Sequence, residues 1–175
     1  AIEEVVVTAQ RTEESLQEVP IAVSAFSTEM LEDKQILSPS DLQLNTPNVS
    51  FTATNFGGSS FSIRGIGRLV IAGSGENGVS IHQNQIAVPT HLPAAELYDL
   101  ARVEVLRGPQ GTLYGRNSNG GAIKIVTKKP SETPEFAVSG TVGNYDRLEA
   151  RLSANGPITD RLFVRGNLLT QQADG

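Results

Sequence analysis

At 175 residues the chain has room for one ordinary domain and a little more, and 38% hydrophobic content with 17 glycines and 9 prolines suits a loop-rich folded domain rather than a disordered one. With no cysteine there is no disulfide framework, thiol nucleophile or cysteine-based zinc site, and two histidines, His82 and His91, are too few for a structural metal centre by themselves. The net charge of −5 is concentrated in residues 1–33, which hold eight acids and one base, Arg11; no basic stripe and only 5% aromatics leave nucleic-acid binding without support.

No run approaches the ~18 apolar residues of a membrane helix. The start at Ala1-Ile2-Glu3 reads as that of an already processed chain. No nucleophile–base–acid set or metal spacing can be assembled, so an enzyme is not expected, nor is a cofactor.

The first element is Val5-Val6-Val7-Thr8-Ala9, preceded by Glu3-Glu4 and followed by the polar QRTEESLQE. Its β-branched run reads as a first edge strand, or as a segment that a partner captures by strand addition. An acidic, mobile arm over 1–18 is the expectation. Val19 to Phe26 is a strand with Pro20 near its start. Ser27 or Thr28 caps a short helix to about Ile36, and Ser38-Pro39 opens a second that Pro47 stops. Leu31, Ile36, Leu42 and Leu44 are core candidates.

Val49 to Thr54 and Phe61 to Gly65 are strands around the loop Asn55-Phe56-Gly57-Gly58-Ser59-Ser60. A glycine-containing loop, Arg68 to Gly78, leads to two short strands, 79–81 and 86–88, around His82-Gln83-Asn84-Gln85. Within that turn Asn84 alone readily takes a left-handed conformation, so the turn type is open. His82 reads as a polar turn residue or as a ligand or metal contact. Pro89 to Tyr98 is another loop, holding His91.

The most patterned stretch is Arg102 to Pro130, RVEVLRGPQGTLYGRNSNGGAIKIVTKKP. Strand-like Val103-Glu104-Val105-Leu106 and Ala122 to Thr127 flank a centre holding Gly108, Gly111, Gly115, Gly120 and Gly121. A phosphate loop would need Lys followed by Ser or Thr after its last glycine, and a dinucleotide site three glycines as GxGxxG; neither is present. From the residues alone the centre is a compact turn joining neighbouring strands.

This stretch resembles the C-terminal half of the plug of TonB-dependent outer-membrane receptors, whose pattern is close to VEVLRGPQGxLYGxxxxGGxINIxTKxP. It departs at Lys124, where that family often has Asn, and at Ser118-Asn119. Ile63-Arg64-Gly65 resembles a second plug signature. The hairpin at 79–88 departs from the family's Tyr-Val-Asp-Gly-Val. The segment Glu4, Val5, Val6, Val7, Thr8, Ala9 resembles the TonB box, which in the family pairs with a periplasmic coupling protein.

The resemblance further implies that Arg64 and Arg107 latch plug to barrel by gripping acids on the inner wall; the bland reading is two exposed arginines at strand ends. It implies Gly65, Gly108, Gly111, Gly115, Gly120 and Gly121 as motif glycines, and Asn55, Phe56, Ser59, Ser60, Arg68 and His91 as residues of substrate-facing loops.

After Pro130 the character changes. Alternating runs 135–143, 147–155 and 161–170, separated by turns at 144–146 and 156–160, are the weak signature of transmembrane β-barrel strands or of a soluble three-stranded meander. Three strands cannot close a barrel, so the expectation is an amino-terminal fragment.

The expected fold is an α+β plug, a small mixed sheet with short helices over 19–130, then three antiparallel strands of an incomplete barrel over 131–175. The implied function is gated, energy-coupled uptake of a scarce nutrient, by default a ferric siderophore, across the bacterial outer membrane, with the N-terminus periplasmic. The implied partners are a TonB-type coupling protein, the chain's own barrel, outer-membrane lipid and a metal chelate as ligand. A stand-alone plug-like binding module, or a structural subunit without transport, is the alternative.

Overall fold

The computed structural model describes residues 6–9, 12, 14–53, 59–67, 77–88, 98–144 and 146–172. The chain divides into two compact units, Ala1–Thr127 and Lys128–Gly175.

In chain order the first unit holds β1 (Val6–Val7), β2 (Glu14–Ser15), β3 (Ala22–Ser27), α1 (Thr28–Asp33), a 3-10 turn (Pro39–Asp41), α2 (Leu42–Asn45) and β4 (Val49–Ala53). Then come β5 (Ser59–Ile63), β6 (Ile66–Gly67), β7 (Val79–Gln83), β8 (Ile86–Val88), β9 (Leu100–Arg107), α2's one-turn counterpart α3 (Gly111–Tyr114), and β10 (Gly121–Thr127). The main sheet is mixed and five-stranded, in the order β3-β9-β10-β7-β8. β10 is antiparallel to β9 and parallel to β7. β4, β5 and β6 form a second, three-stranded sheet.

Strand alternation gives the main sheet two different faces. Val103 and Val105 of β9, Ile123 of β10, Val79 of β7 and Phe26 of β3 enter one apolar core with Leu31, Ile36 and Leu42 from the helical segment and Val49, Phe61 and Ile63 from the second sheet. The opposite face carries Leu106 and Ala122, covered by Val7, Ala9 and Tyr114. On this second face the alternation also places Glu104, Lys124, His82 and Ser80, all buried.

Ser27 caps α1 by accepting the Met30 N–H at 3.3 Å. The second helical segment starts at Ser38-Pro39 as expected, but its first turn is 3-10, with the Asp41 carboxylate accepting from the N–H groups of Leu37 and Ser38. Leu44, expected in the core, is 82% exposed, because a helix of only four residues, Leu42–Asn45, turns one leucine inward and the next outward.

The 79–88 hairpin closes on a two-residue turn, Asn84 and Gln85, with φ of 47° and 74°. Positive φ at both central positions is what a type I′ turn requires, so the turn forms without the glycine that usually supplies it. Asn84 is further held by Thr127, donating from Nδ2 to its Oγ1 at 2.8 Å and accepting its N–H at 3.1 Å. His82 is therefore not a turn residue. It lies in β7, buried, with Nε2 3.2 Å from Ser80 Oγ and its ring edge-on to Tyr114 at 5.0 Å.

The second unit is an antiparallel meander of β11 (Glu135–Val142), β12 (Leu148–Thr159) and β13 (Leu162–Gln172). Phe136, Val138, Val142, Leu148 and Leu168 stand on an exposed apolar face, and Glu149, Ser153 and Asn155 of β12 are buried. Arg147 and Arg151 both grip Glu149, Arg147 at 2.8 Å. Asn155 holds the segment before β11 through Ser131 and Thr133.

The turn expected over 156–160 is shorter. β12 continues through Gly156-Pro157, with a register shift between Pro157 and Thr159, and reverses at Asp160-Arg161. Proline is tolerated there because β11 begins opposite Asn155, so Pro157 lies past that strand's end.

Candidate functional site

The second face of the main sheet carries a buried polar row whose position follows from register. β9 and β10 pair Arg107 with Gly121, which sets Glu104 opposite Lys124; β7 then sets His82 beside Lys124. Glu104 is 0% and Lys124 2% exposed. Buried charges of this kind need partners, and here they find them in the N-terminal segment.

Thr8 lies across the row. Its N–H and its hydroxyl both donate to Glu104 Oε1, at 2.9 and 3.0 Å. The same hydroxyl accepts from Arg102 Nη2 at 2.9 Å and from Lys124 Nζ. One donor and two lone pairs are thereby used, the full capacity of a hydroxyl. Lys124 Nζ also donates to the Thr8 carbonyl at 2.9 Å, and the Tyr114 hydroxyl donates to the Ala9 carbonyl at 2.7 Å. Arg102 Nε pairs with Glu104 Oε1 at 2.7 Å. Val7 and Ala9, both 0% exposed, anchor the segment in the apolar patch on either side of Thr8.

β1 pairs with β2 through Val6↔Ser15 and Val7↔Glu14. In this structure the stretch expected to be a free arm is thus docked over Val6–Ala9. Glu4 and Val5 lie outside the described residues.

Tyr114 reaches Ala9 because of the turn between β9 and β10. Gln110 accepts the N–H groups of Leu113 and Tyr114, closing the single helical turn α3, while Gln110 N–H bonds Ser118 O and Gly108 N–H bonds Gly120 O, both at 2.9 Å. Of the motif glycines, Gly65, Gly108, Gly115 and Gly121 have positive φ. Gly121 is the most constrained: a Cβ there would stand 2.2 Å from the Leu106 carbonyl oxygen, at φ 152°. A Cβ on Gly120 would meet the Ile66 carbonyl oxygen at 2.8 Å, whereas one on Gly111 would meet open space.

Arg64 is exposed and occupies, with Gly65, the two-residue turn from β5 to β6, at φ 54° and 78°. Arg107 is half-buried at the end of β9, and its Nε is buried without a hydrogen-bond partner among the described residues. Arg64 Nη1 lies 3.9 Å from where a Cβ on Gly108 would stand, so both arginines reach one corner of the unit.

Ser59 and Ser60, expected in a loop, are the first residues of β5, paired with Ala53 and Thr52. Asn55, Phe56, Arg68 and His91 lie outside the described residues. Among the described residues no group of three or more His, Asp or Glu side chains could hold a metal ion.

In the sequence Glu104 stands only as the charge between Val103 and Val105 of a strand-like run, with no local sign of the docking row. The signal was available, because any hairpin-like pairing of 107 with 121 puts Glu104 opposite Lys124.

The family model of the TonB-dependent receptor plug domain matches residues 15–122. The pesticin receptor of Yersinia pestis is 44% identical over 78 residues, covering 45% of this chain and 12% of that receptor. The ferric-pyoverdine 358 receptor of Pseudomonas putida is 25% identical over 168 residues, covering 95% of this chain and 20% of its own length.

Among solved structures, the ferric yersiniabactin uptake receptor FyuA from Yersinia pestis matches with a TM-score of 0.76 and 29% identity, over 85% of this chain and 24% of that one. The pyoverdine outer membrane receptor FpvA from Pseudomonas aeruginosa shares the fold with a TM-score of 0.79 at 20% identity, over 96% of this chain and 24% of that one. The chain spans a quarter or less of each of these relatives, all of which are receptors rather than enzymes. A mixed plug sheet, the glycine-closed turn between its two central strands and a family match over more than half the chain lead to one conclusion: the chain belongs to the TonB-dependent receptor plug-domain family.

Proposed function

We propose that this chain is the plug and the opening barrel strands of an outer-membrane transporter that imports a scarce nutrient, a ferric siderophore, using energy delivered by a TonB-type periplasmic protein. As a plug-family member it lies at the bacterial outer membrane. The relatives named above for pyoverdine and yersiniabactin support an iron chelate as cargo.

The observation that carries the gating role is the docked segment Val6–Ala9: a short β-prone stretch, held to the plug by a few hydrogen bonds, is a handle that a partner can take by strand addition. Ligand bound from outside would release it, and pulling on it would open a path through the plug. Arg64 and Arg107 would meanwhile hold the plug in the barrel by pairing with acids on its wall. The second unit's exposed apolar face fits lipid contact.

The test is Val7→Pro in the full receptor. Proline removes the N–H needed for pairing, so cells should still bind members of a panel of ferric siderophores at wild-type level and fail to import them. Normal import by this variant would sink the assignment of the segment.

A further inference from the structure

We propose that Asn119-Gly120 is a self-modification site that the closed plug holds shut. Once the Gly120 N–H leaves the Gly78 carbonyl, Asn119 cyclises onto Gly120 N, loses ammonia and becomes an aspartyl or isoaspartyl residue. The substrate is the chain itself, water is the only co-reactant, and the inference goes beyond the proposed function without resting on it.

The sequence holds three Asn-Gly pairs, 77–78, 119–120 and 155–156. A glycine after asparagine leaves the following backbone nitrogen unshielded by a Cβ, so the carboxamide carbon can close on it. The step balances without oxidant or reductant. Gly120 N gives its proton to a solvent base and bonds to Asn119 Cγ; the Cγ–Nδ2 bond breaks and ammonia leaves. Water then opens the cyclic imide. Attack at Cγ gives aspartate, and attack at the main-chain carbonyl gives isoaspartate, whose backbone runs through the side chain and is a methylene longer.

The structure sets the three pairs apart. Asn119 is exposed, and its carboxamide makes no hydrogen bond among the described residues. The restraint lies on the nitrogen it must attack: Gly120 is buried, and its N–H donates to Gly78 O at 2.8 Å. Ile66 covers that bond, since its Cγ2 would stand 2.9 Å from a Cβ on Gly78 and 3.1 Å from one on Gly120. Asn77-Gly78 supplies the acceptor, and Asn77 Oδ1 itself accepts from Ser60 Oγ at 3.4 Å. Asn155 is the opposite case. Its carboxamide is held by Ser131 and Thr133 through four hydrogen bonds, and Gly156 lies inside β12.

Cyclisation at Asn119 therefore needs only the local opening that would also expose the Gly120 amide to exchange with solvent. The isoaspartyl product re-closes the turn badly. Gly120 also gives its carbonyl to the Gly108 N–H, and the neighbouring Gly121 fits against the Leu106 carbonyl with no room to shift. An extra methylene before Gly120 breaks one or other of these contacts. Each such conversion turns a reversible opening into a permanent one.

The test incubates the full receptor in detergent beside a synthetic peptide of residues 112–126, in the same warm, mildly alkaline buffer. Tryptic peptides 117–124 and 152–161 are then sequenced by mass spectrometry for the change from amide to acid. Digestion in heavy-oxygen water marks any conversion during handling. Asn119 in the receptor should convert at least about tenfold more slowly than in the peptide, the factor one buried backbone hydrogen bond sustains. Asn155 should convert at least about tenfold more slowly than Asn119. Ile66→Ala, which uncovers Gly120, should speed conversion at 119 about fivefold and leave 155 alone. After long incubation the plug of the wild type should unfold at lower temperature than before, and that of Asn119→Gln, whose longer side chain closes the ring poorly, should not. Conversion at 119 at the peptide's rate, no conversion in the peptide, or no effect of Ile66→Ala would each overturn the proposal. Equal plug melting in converted wild type and incubated Asn119→Gln would overturn it as well.

Discussion

Replacing Thr8 by Val removes one oxygen and keeps the shape of the side chain, so it probes the docking row without opening a cavity. The hydroxyl makes three polar contacts, to Glu104, Arg102 and Lys124, all charged partners. Hydrogen bonds to charged groups contribute about 1.5–3 kcal/mol each. The three do not add, because Glu104 Oε1 keeps Arg102 Nε and the Thr8 N–H, and Lys124 keeps the Thr8 carbonyl. A net loss of about 3 kcal/mol in docking is the reasonable figure, roughly a hundredfold in the local equilibrium. The assay is amide exchange at residues 6–9 in the full receptor, where protection reports local opening. Thr8→Val should lower protection there by that factor and leave β9 and β10 unchanged, while Thr8→Ser, which keeps the hydroxyl, should stay near wild type. Equal protection in Thr8→Val and wild type would refute the idea that the hydroxyl holds the segment.

Gly121→Ala forces a Cβ, at the start of β10, to within 2.2 Å of the Leu106 carbonyl oxygen and into Ile63 of the second sheet. It should destabilise the plug by at least about 3 kcal/mol, read as early loss of plug signal in thermal unfolding of the receptor. Gly111→Ala, which meets open space, is the control and should melt like wild type. Gln85→Gly should act in the opposite sense. A non-glycine residue at φ 74° is strained, and relieving it in the β7–β8 turn should stabilise the plug by about 0.5–1 kcal/mol, read as a rise in melting temperature.

Much of the fold was legible because it is local. Alternation announced β9, β10 and the three strands of the second unit, and glycines with their partners announced the turns between them. What failed was either too short or too distant. α3 is a single turn, Gly-Thr-Leu-Tyr, with no room for a helical period to show. Leu44 was misplaced because a helix of four residues has no settled apolar face. Pro157 read as a turn since proline is rare in strands, yet the neighbouring strand ends before it.

The docking of Thr8 was invisible for a different reason: it joins residues 96 and 116 positions apart. No periodicity reports such a contact. Glu104 and Lys124 each alternate with apolar neighbours as polar residues of many strands do, and only the register between β9 and β10 reveals two opposite charges stacked in one buried row. The candidate site was therefore half legible. The segment itself could be picked out by its composition, but not the surface that holds it.

The central claim is that this plug gates energy-coupled import, and the most direct measurement is uptake of radio-iron as a ferric siderophore by cells with and without the TonB-type protein. Cells lacking that protein should still bind the chelate at their surface through the receptor and should not accumulate iron. Accumulation at the wild-type rate without the coupling protein would contradict it.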